Sequence, residues 1–326
     1  MGKAWGRNLR DNQEAVLAGW IDMRPGAAEE AAKELDVTPE YLGTDLEAAI
    51  RALSPDFVVD VTSPSGHKEV TTTALGLGVP VIGEKPMAVD LDEAKEMVRA
   101  SEAAGKLYMV SQSRRYDGRI QAYRKLIEEN LGALGILNSD FYVGAHFGGF
   151  RDEMASVLLV DMAIHTFDAA RYISQADPVS VYADEFNPGW SWYKGAASAT
   201  CLFEMTGGLR YTYRGSWCAE GLHTSWESDW RAAGANGTAL WDGHGDPKAQ
   251  IVKESGGFHS TCTDLSEASP TVKSGIEGSL EEFLHALKTG ATPNGECHDN
   301  IKSFAMVCAA VESSRRAERV LLSEFL

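Results

Sequence analysis

The strongest constraint on this chain is a change of rhythm near residue 112. Up to that point short, β-branched runs alternate with helical segments. Residues 3–15 read as helix and Ala15–Ile21 as a buried strand; Pro25–Leu35 and Asp45–Leu53 read as helices. Phe57-Val58-Val59-Asp60-Val61 is a strand bounded by Pro55 and Pro64, and a helix follows over about His67–Leu77. Val79–Gly83 is the next strand. Asp90 then caps a helix running to Ala104, with Glu93 at the capping-box position, before a last strand at Leu107–Val110. Strands separated by helices of this length demand right-handed βαβ units, hence a parallel sheet covered on both faces.

Beyond residue 112 the pattern is different. A helix spans Arg119–Glu129 and a longer one about Ala155–Ile173. A β-rich region carries hairpin signals: Gly207-Gly208 between Thr200–Met205 and Leu209–Arg214, and Asn236-Gly237 between two more extended runs. Helices near Ile276–Lys288 and Asn300–Arg319 follow, and no repeat of fixed period is visible. The expected fold is therefore α/β plus α+β. Residues 1–112 form a Rossmann-like, doubly wound parallel sheet; residues 113–326 form a domain with a large, mostly antiparallel open sheet.

Composition removes several functions. A chain of 326 residues suits about two domains of ~150 residues. Thirty Lys+Arg against 47 Asp+Glu leave a net charge of −17, a field that repels phosphate backbones and argues against a nucleic-acid partner. No apolar run approaches the roughly 18 residues of a bilayer span, so no membrane partner is expected, and no leader pattern opens the chain. Cys201, Cys218, Cys262, Cys297 and Cys308 are scattered, with neither CxxC metal spacing nor a disulfide framework. The expectation is a cytoplasmic setting and no metal.

Open α/β sheets bind ligands at the carboxyl ends of their strands. A dinucleotide fold opens with a strand, a GxGxxG turn and a helix whose N-terminus holds the pyrophosphate. Here no strand precedes Met1-Gly2-Lys3-Ala4-Trp5-Gly6, so Gly2 reads as the last glycine of such a motif and the first strand as missing. The corresponding expectation is a natural product that starts upstream, or weak dinucleotide binding. Asp22 lies ~20 residues on, where a carboxylate accepts from the adenosine ribose hydroxyls; it equally suits a turn cap before Pro25. The carboxylate favours NAD, while Arg24 leaves the 2′-phosphate of NADP open. Thr62-Ser63-Pro64-Ser65-Gly66-His67 and Gly83-Glu84-Lys85-Pro86 end the next two strands. Asp161 and His165, at i and i+4, share one face of a helix.

In this combination the chain resembles the Gfo/Idh/MocA oxidoreductases over essentially its whole length. The resemblance is carried by the strand-end Thr62-Ser63-Pro64, the GEKP at 83–86, the DxxxH of Asp161 and His165, the Asn236-Gly237 hairpin and the C-terminal helix. It implies Lys85, Asp161 and His165 as catalytic residues, with a cis Lys85–Pro86 bond. It also implies NAD (or NADP) held by Gly2, Asp22, Arg24, Thr62, Ser63, Pro64, His67, Glu84, Lys85 and Pro86. The run Gln112-Ser113-Arg114-Arg115-Tyr116-Asp117 is similar to that of inositol dehydrogenases. That likeness offers Gln112, Arg115 and Tyr116 as substrate contacts, with His146 beside them.

The chemistry suits the roles. An unperturbed imidazole titrates near working pH, so His165 can take a hydroxyl proton; Asp161 can favour its protonated form, and Lys85 can stabilise a developing oxyanion. The structural alternatives are a solvated Lys85 and a helix-surface Asp161–His165 pair, although charges interrupting the apolar Val157–Ile164 stretch are costly without a task. Met154-Ala155-Ser156 replaces a Gly-rich stretch of the family pattern, which bears on pocket shape. Six of the eight tryptophans fall between Trp190 and Trp241; sugar stacking and sheet core are alternatives to the expected oligomer interface. The resemblance thus implies an NAD(P)-dependent dehydrogenase oxidising a secondary hydroxyl of a sugar or cyclic polyol, assembled as a homo-dimer or tetramer through the C-terminal sheet. A transient-redox epimerase or glycoside-cleaving enzyme, and a non-catalytic sugar- or nucleotide-sensing protein, are the alternatives.

Overall fold

The computed structural model describes residues 1–326. They divide into two compact units, Met1–Ser113 with Ile276–Ile301, and Arg114–Gly275 with Lys302–Leu326.

In the first unit α1 (Gly2–Asp11), β1 (Gly19–Ile21), α2 (Ala27–Glu34), β2 (Tyr41–Gly43), α3 (Leu46–Leu53), β3 (Val58–Asp60), α4 (Pro64–Gly76), β4 (Val81–Glu84), α5 (Leu91–Ala104) and β5 (Tyr108–Ser111) follow one another. The strands pair in parallel as two sheets, β1–β2 and β3–β4–β5. β4 is buried along its whole length, as a strand covered on both faces must be. Helix starts follow local chemistry. Asp45 accepts from the Ala48 N–H at 2.9 Å ahead of α3, and Asp90 accepts from the Glu93 N–H at 2.9 Å ahead of α5. Glu93 lies 3.8 Å from Lys68. Leu91, Ala94, Met97 and Val98 of α5 supply its buried stripe.

The second unit opens with α6 (Gly118–Asn130), β6 (Leu134–Tyr142) and the single turn α7 (Phe150–Glu153). The helix expected over about 155–173 is two segments, a π-helical stretch at Leu158–Ala163 and α8 (Ile164–Ser174). There follow β7 (Pro178–Phe186), β8 (Ser198–Met205), β9 (Arg210–Ser216), β10 (Asp229–Gly234), β11 (Gly237–Trp241), β12 (Lys248–Glu254) and β13 (Thr261–Ser266). The chain then forms α9 (Gly275–Thr289), α10 (Cys297–Arg316) and β14 (Val320–Leu321).

Nine of these strands make one sheet, ordered β13-β12-β11-β10-β6-β9-β8-β7-β14. Every pairing is antiparallel except β6 with β9. The two expected hairpins are present: β8 turns into β9 through Gly207 and Gly208, at φ 72 and 79, and β10 turns into β11 with Gly234 opposite Gly237. One sheet face packs on α8, where Phe167 meets Phe203 and Tyr213 edge-on at 4.9 and 5.3 Å. The opposite face carries the register row Tyr182, Leu202, Thr212, Asn138, Arg231 and Leu240. Trp217, Trp230 and Trp241 are each 3 % exposed and belong to the core, so half of the tryptophans expected at an interface serve the sheet interior instead.

The sequence places both C-terminal helices with the second domain; the structure divides them. α9 buries Leu280, Phe283 and Leu284 in the first unit, and Phe283 meets Phe57 edge-on at 5.5 Å. The Gly295 carbonyl accepts from the Val110 N–H at 2.8 Å, continuing the hydrogen bonding of β5. Such a return is set by contacts between residues far apart in sequence, which no local pattern encodes.

Candidate active site

In the first unit the carboxyl ends of β3, β4 and β5 lie side by side, because the three strands are parallel neighbours. Asp60 ends β3 and is 1 % exposed, yet its carboxylate is satisfied. One oxygen accepts from the Thr62 N–H (3.1 Å), the Thr62 hydroxyl (2.6 Å) and His67 Nδ1 (3.1 Å), and the other from the Thr71 hydroxyl (3.0 Å). Asp60 thereby fixes the strand-end loop. It also puts the proton of a neutral His67 on Nδ1, since the Thr62 hydroxyl is already committed as a donor. Pro64 opens α4 with Ser63 as its N-cap residue, and Thr62, Ser63 and Pro64 are exposed. The buried Tyr108 phenol is pushed well above its usual range by burial, and by the charge of Asp60.

At the end of β4, Glu84 accepts from the Trp5 indole N–H at 2.7 Å and from the Lys85 N–H at 3.2 Å. Both its oxygens thus serve the scaffold and hold the strand end in place. The next side chain, Lys85, is half-buried, and Lys85–Pro86 is cis. At the end of β5, Ser111 Oγ and Gln112 Nε2 are buried without hydrogen-bond partners, on residues 1 % and 2 % exposed. Unanswered buried polar atoms are rare in proteins. Their place beside the GEKP strand fits a polar ligand along this edge.

Asp22 ends β1. Its Oδ1 accepts from the Arg24 N–H at 2.9 Å and lies 3.5 Å from the Arg24 guanidinium, so the carboxylate shapes the turn into α2. The sequence reads Gly2 as the last motif glycine, and Gly2 opens α1. A Cβ on Gly2 would meet only the Trp20 ring, at 4.0 Å, whereas one on Gly6 would lie 2.6 Å from that ring and 2.8 Å from Leu35. Gly6 therefore lets α1 lie close against Trp20 of β1 and Leu35.

In the second unit Asp161 lies within the π-helical stretch and His165 in the first turn of α8, both half-buried. Wide helical turns of this kind recur at functional sites. Asp161 Oδ2 accepts from Arg151 Nε at 2.5 Å, and the Arg151 guanidinium carbon sits 4.9 Å from the Phe147 ring centre and 4.7 Å from that of Phe150. The approach to this helix is fixed by Gly195, where a Cβ would stand 2.2 Å from the carbonyl oxygens of both Met154 and Ala155. Nearby, burial pushes the Glu185 carboxyl up against the opposing hydrogen bond from Ser156, at 2.9 Å.

The expected substrate contacts fare differently. Arg115 is 5 % exposed and forms a bidentate pair with Asp168 at 2.6 and 2.7 Å, and Asp168 also accepts from the Ser303 hydroxyl at 2.7 Å. Two arms of the Arg115 fork are thus engaged by Asp168. Tyr116 is 7 % exposed and lies in the core. Gln112 is the buried residue described above. His146 is exposed, stacked on Trp192 at 3.7 Å and paired with Glu220 at 2.7 Å. Sequence reasoning misses Asp60, Trp5, Arg151 and Asp168, whose partners lie 10 or more residues away in most of these contacts and leave no spacing signature. It also passes over Glu296, Cys297 and His298, whose donor atoms lie within 4.8 Å of one another and hydrogen-bond among themselves.

Comparison with known proteins agrees with this architecture. Residues 1–112 match the family described as "Oxidoreductase family, NAD-binding Rossmann fold", and residues 120–240 match the GFO/IDH/MocA C-terminal domain. The chain is 28 % identical to the uncharacterized protein y4oX of Sinorhizobium fredii, over 98 % of this chain and 91 % of the relative. It is also 28 % identical to a D-apiose dehydrogenase of Rhizobium rhizogenes, over 83 % and 80 %. An oxidoreductase from Agrobacterium radiobacter, solved with NAD+, L-tartaric acid and magnesium, superposes with a TM-score of 0.85 at 24 % identity, over 100 % of this chain and 96 % of the other; that likeness shows the fold. The chain belongs to the Gfo/Idh/MocA oxidoreductases, and its first 112 residues are the family's NAD-binding Rossmann fold.

Proposed function

We propose that the protein is an NAD-dependent dehydrogenase that oxidises a secondary hydroxyl of a sugar or cyclic polyol. The observation that carries this reading is the carboxyl edge of β3, β4 and β5. It presents the exposed Thr62–Pro64 turn, the half-buried Lys85 and two buried polar atoms without partners, Ser111 Oγ and Gln112 Nε2. Such an edge is where an open parallel sheet holds a nucleotide.

Thr62, Ser63 and Pro64 would hold the cofactor on that edge, and Asp22, at the end of β1, would accept from the adenosine ribose hydroxyls, which favours NAD over a 2′-phosphorylated cofactor. NAD supplies the hydride acceptor. The chain supplies the rest. His165 takes the hydroxyl proton, Asp161 steadies the imidazolium that forms, and the Lys85 ammonium stabilises the negative charge developing on the substrate oxygen. The D-apiose dehydrogenase relative supports a sugar as substrate. Exposed apolar residues on the outward sheet face, among them Tyr182, Leu202 and Leu240, support assembly of a homo-dimer or tetramer through that face.

The test is a panel of pentoses, hexoses and inositols with NAD+, read as NADH absorbance. Lys85→Ala and His165→Ala should each lower kcat by about 10²–10⁴-fold while nucleotide binding, followed by protein fluorescence, persists. Wild-type turnover in both variants would remove the assignment. Product formed without net NADH would make the enzyme one that oxidises and re-reduces its substrate.

A further inference from the structure

We infer that Glu296, Cys297 and His298 bind Zn(II) in the first unit, through Glu296 Oε1, Cys297 Sγ and His298 Nδ1, with water in the fourth position. None of these residues takes part in the proposed reaction, so the inference stands apart from that reading.

The three donor atoms already converge. The Cys297 thiol donates to Glu296 Oε1 at 2.9 Å, His298 Nδ1 lies 2.8 Å from that same oxygen, and the sulfur and ring nitrogen are 3.5 Å apart. Ligand atoms around a tetrahedral zinc, bonded at about 2.0–2.3 Å, stand about 3.3–3.6 Å from one another. The sulfur–nitrogen edge has that length, and the two edges to the oxygen need to open by about 0.5 Å. A point about 2.1 Å from all three atoms lies roughly 1 Å above their plane. One thiolate, one imidazole and one carboxylate suit zinc, whereas calcium and magnesium take oxygen ligands. Cys297 is buried, Glu296 half-buried and His298 exposed, which leaves the ion a way in.

The surroundings hold the ligands in place. The second Glu296 oxygen accepts from the His298 backbone N–H at 2.9 Å, which leaves Oε1 to the other two donors. His298 Nε2 lies 2.9 Å from Glu102 Oε1, in the last turn of α5. A carboxylate on the far ring nitrogen is the usual support of a metal-bound histidine, since it fixes the ring and raises its basicity. Glu102 keeps a proton on Nε2 and frees the Nδ1 lone pair for the metal. Binding releases one proton from the thiol and one from Nδ1. Asn300 adds an independent observation. It lies three residues beyond Cys297 on the same face of α10, is 1 % exposed, and neither of its amide atoms has a partner. Helical side chains lean over the preceding turn, which for Asn300 begins with Glu296 and Cys297, so its amide can answer the metal-bound water. The positive end of α10 opposes a cation, and Glu296, Glu102 and the thiolate outweigh it. Because α5 delivers the chain to the amino end of β5, the site lies away from the carboxyl edge given to the nucleotide. The ion would tie α10 to α5 and leave the substrate untouched.

The experiment titrates the full chain, free of any affinity tag and stripped with a chelator, with Co(II) alone. One equivalent should bind with a thiolate-to-cobalt charge-transfer band and the visible bands of tetrahedral cobalt. Zn(II) should then displace it and raise the Tm. Cys297→Ser should abolish the charge-transfer band, and Cys262→Ser, which removes an exposed thiol elsewhere, should keep it. Glu102→Ala should weaken cobalt binding by about 10–100-fold, and His298→Ala by more than that. The side chains of Glu102 and His298 are more than half exposed, so these two variants test the site without touching the core, and near-ultraviolet circular dichroism confirms that each protein is folded. Absence of the charge-transfer band in wild type overturns the site, as does a band that survives Cys297→Ser or is lost in Cys262→Ser. Cobalt affinity unchanged in His298→Ala or in Glu102→Ala also overturns it and marks an adventitious ion only.

Discussion

The Trp5 indole N–H meets the Glu84 carboxylate at 2.7 Å across 79 residues of sequence, with Trp5 1 % and Glu84 8 % exposed. The bond joins the first helix to the strand end that precedes Lys85. Trp5→Phe keeps most of the ring but leaves a buried carboxylate oxygen unanswered, at an expected cost of about 1–3 kcal/mol. Urea unfolding measures it; an unchanged midpoint with an unchanged slope would mean that the bond contributes nothing to stability.

The buried Arg115–Asp168 pair should be costly to break from one side only. Asp168→Ala removes the bidentate carboxylate from a buried guanidinium and should destabilise by about 3–5 kcal/mol. Arg115→Met with Asp168→Leu removes both charges and should recover much of that loss. Chemical denaturation of the two proteins decides the matter, and a double variant as weak as the single one would contradict the expectation.

Glu185 gives a dependence on pH. Burial raises its folded pKa above the unfolded value of 4.5. The fold therefore favours the protonated form, so this group's contribution is present below the unfolded value and is lost as pH rises through the folded one. Glu185→Gln, which still accepts from Ser156, should melt higher than wild type near neutral pH. The difference should close as pH falls below the ordinary carboxylate range. A gap that widens on acidification would reverse the assigned direction.

Much of the framework is legible in the sequence because its causes are local. Asp90 shows as a cap because its side chain bonds three residues ahead, and Gly207-Gly208 shows as a hairpin because two successive residues need positive φ. GEKP and DxxxH are visible as spacings, and the strand end that GEKP closes follows from the β-branched periodicity before it. The tethers of the site are another matter. The Asp168 partner of Arg115, 53 residues on, and the Arg151 partner of Asp161 show only when the chain is folded. β2, three residues long and half-buried, is too short to announce itself by alternation. The π-helical turn at 158–163 has no signature, since a continuous apolar run suits either winding.

Both units draw on the end of the chain: Ile276–Ile301 complete the first, and Lys302–Leu326 the second. In the second, Ser303 donates to Asp168, Ser313 Oγ accepts from the Ala183 N–H at 2.9 Å, and β14 covers the edge of β7. Until residues 276–326 return, the chain consequently holds two unfinished bodies at once, with a bare strand edge and an incomplete polar core. Each half therefore closes only by a return over a long stretch of sequence, the kind of pairing that folds slowly.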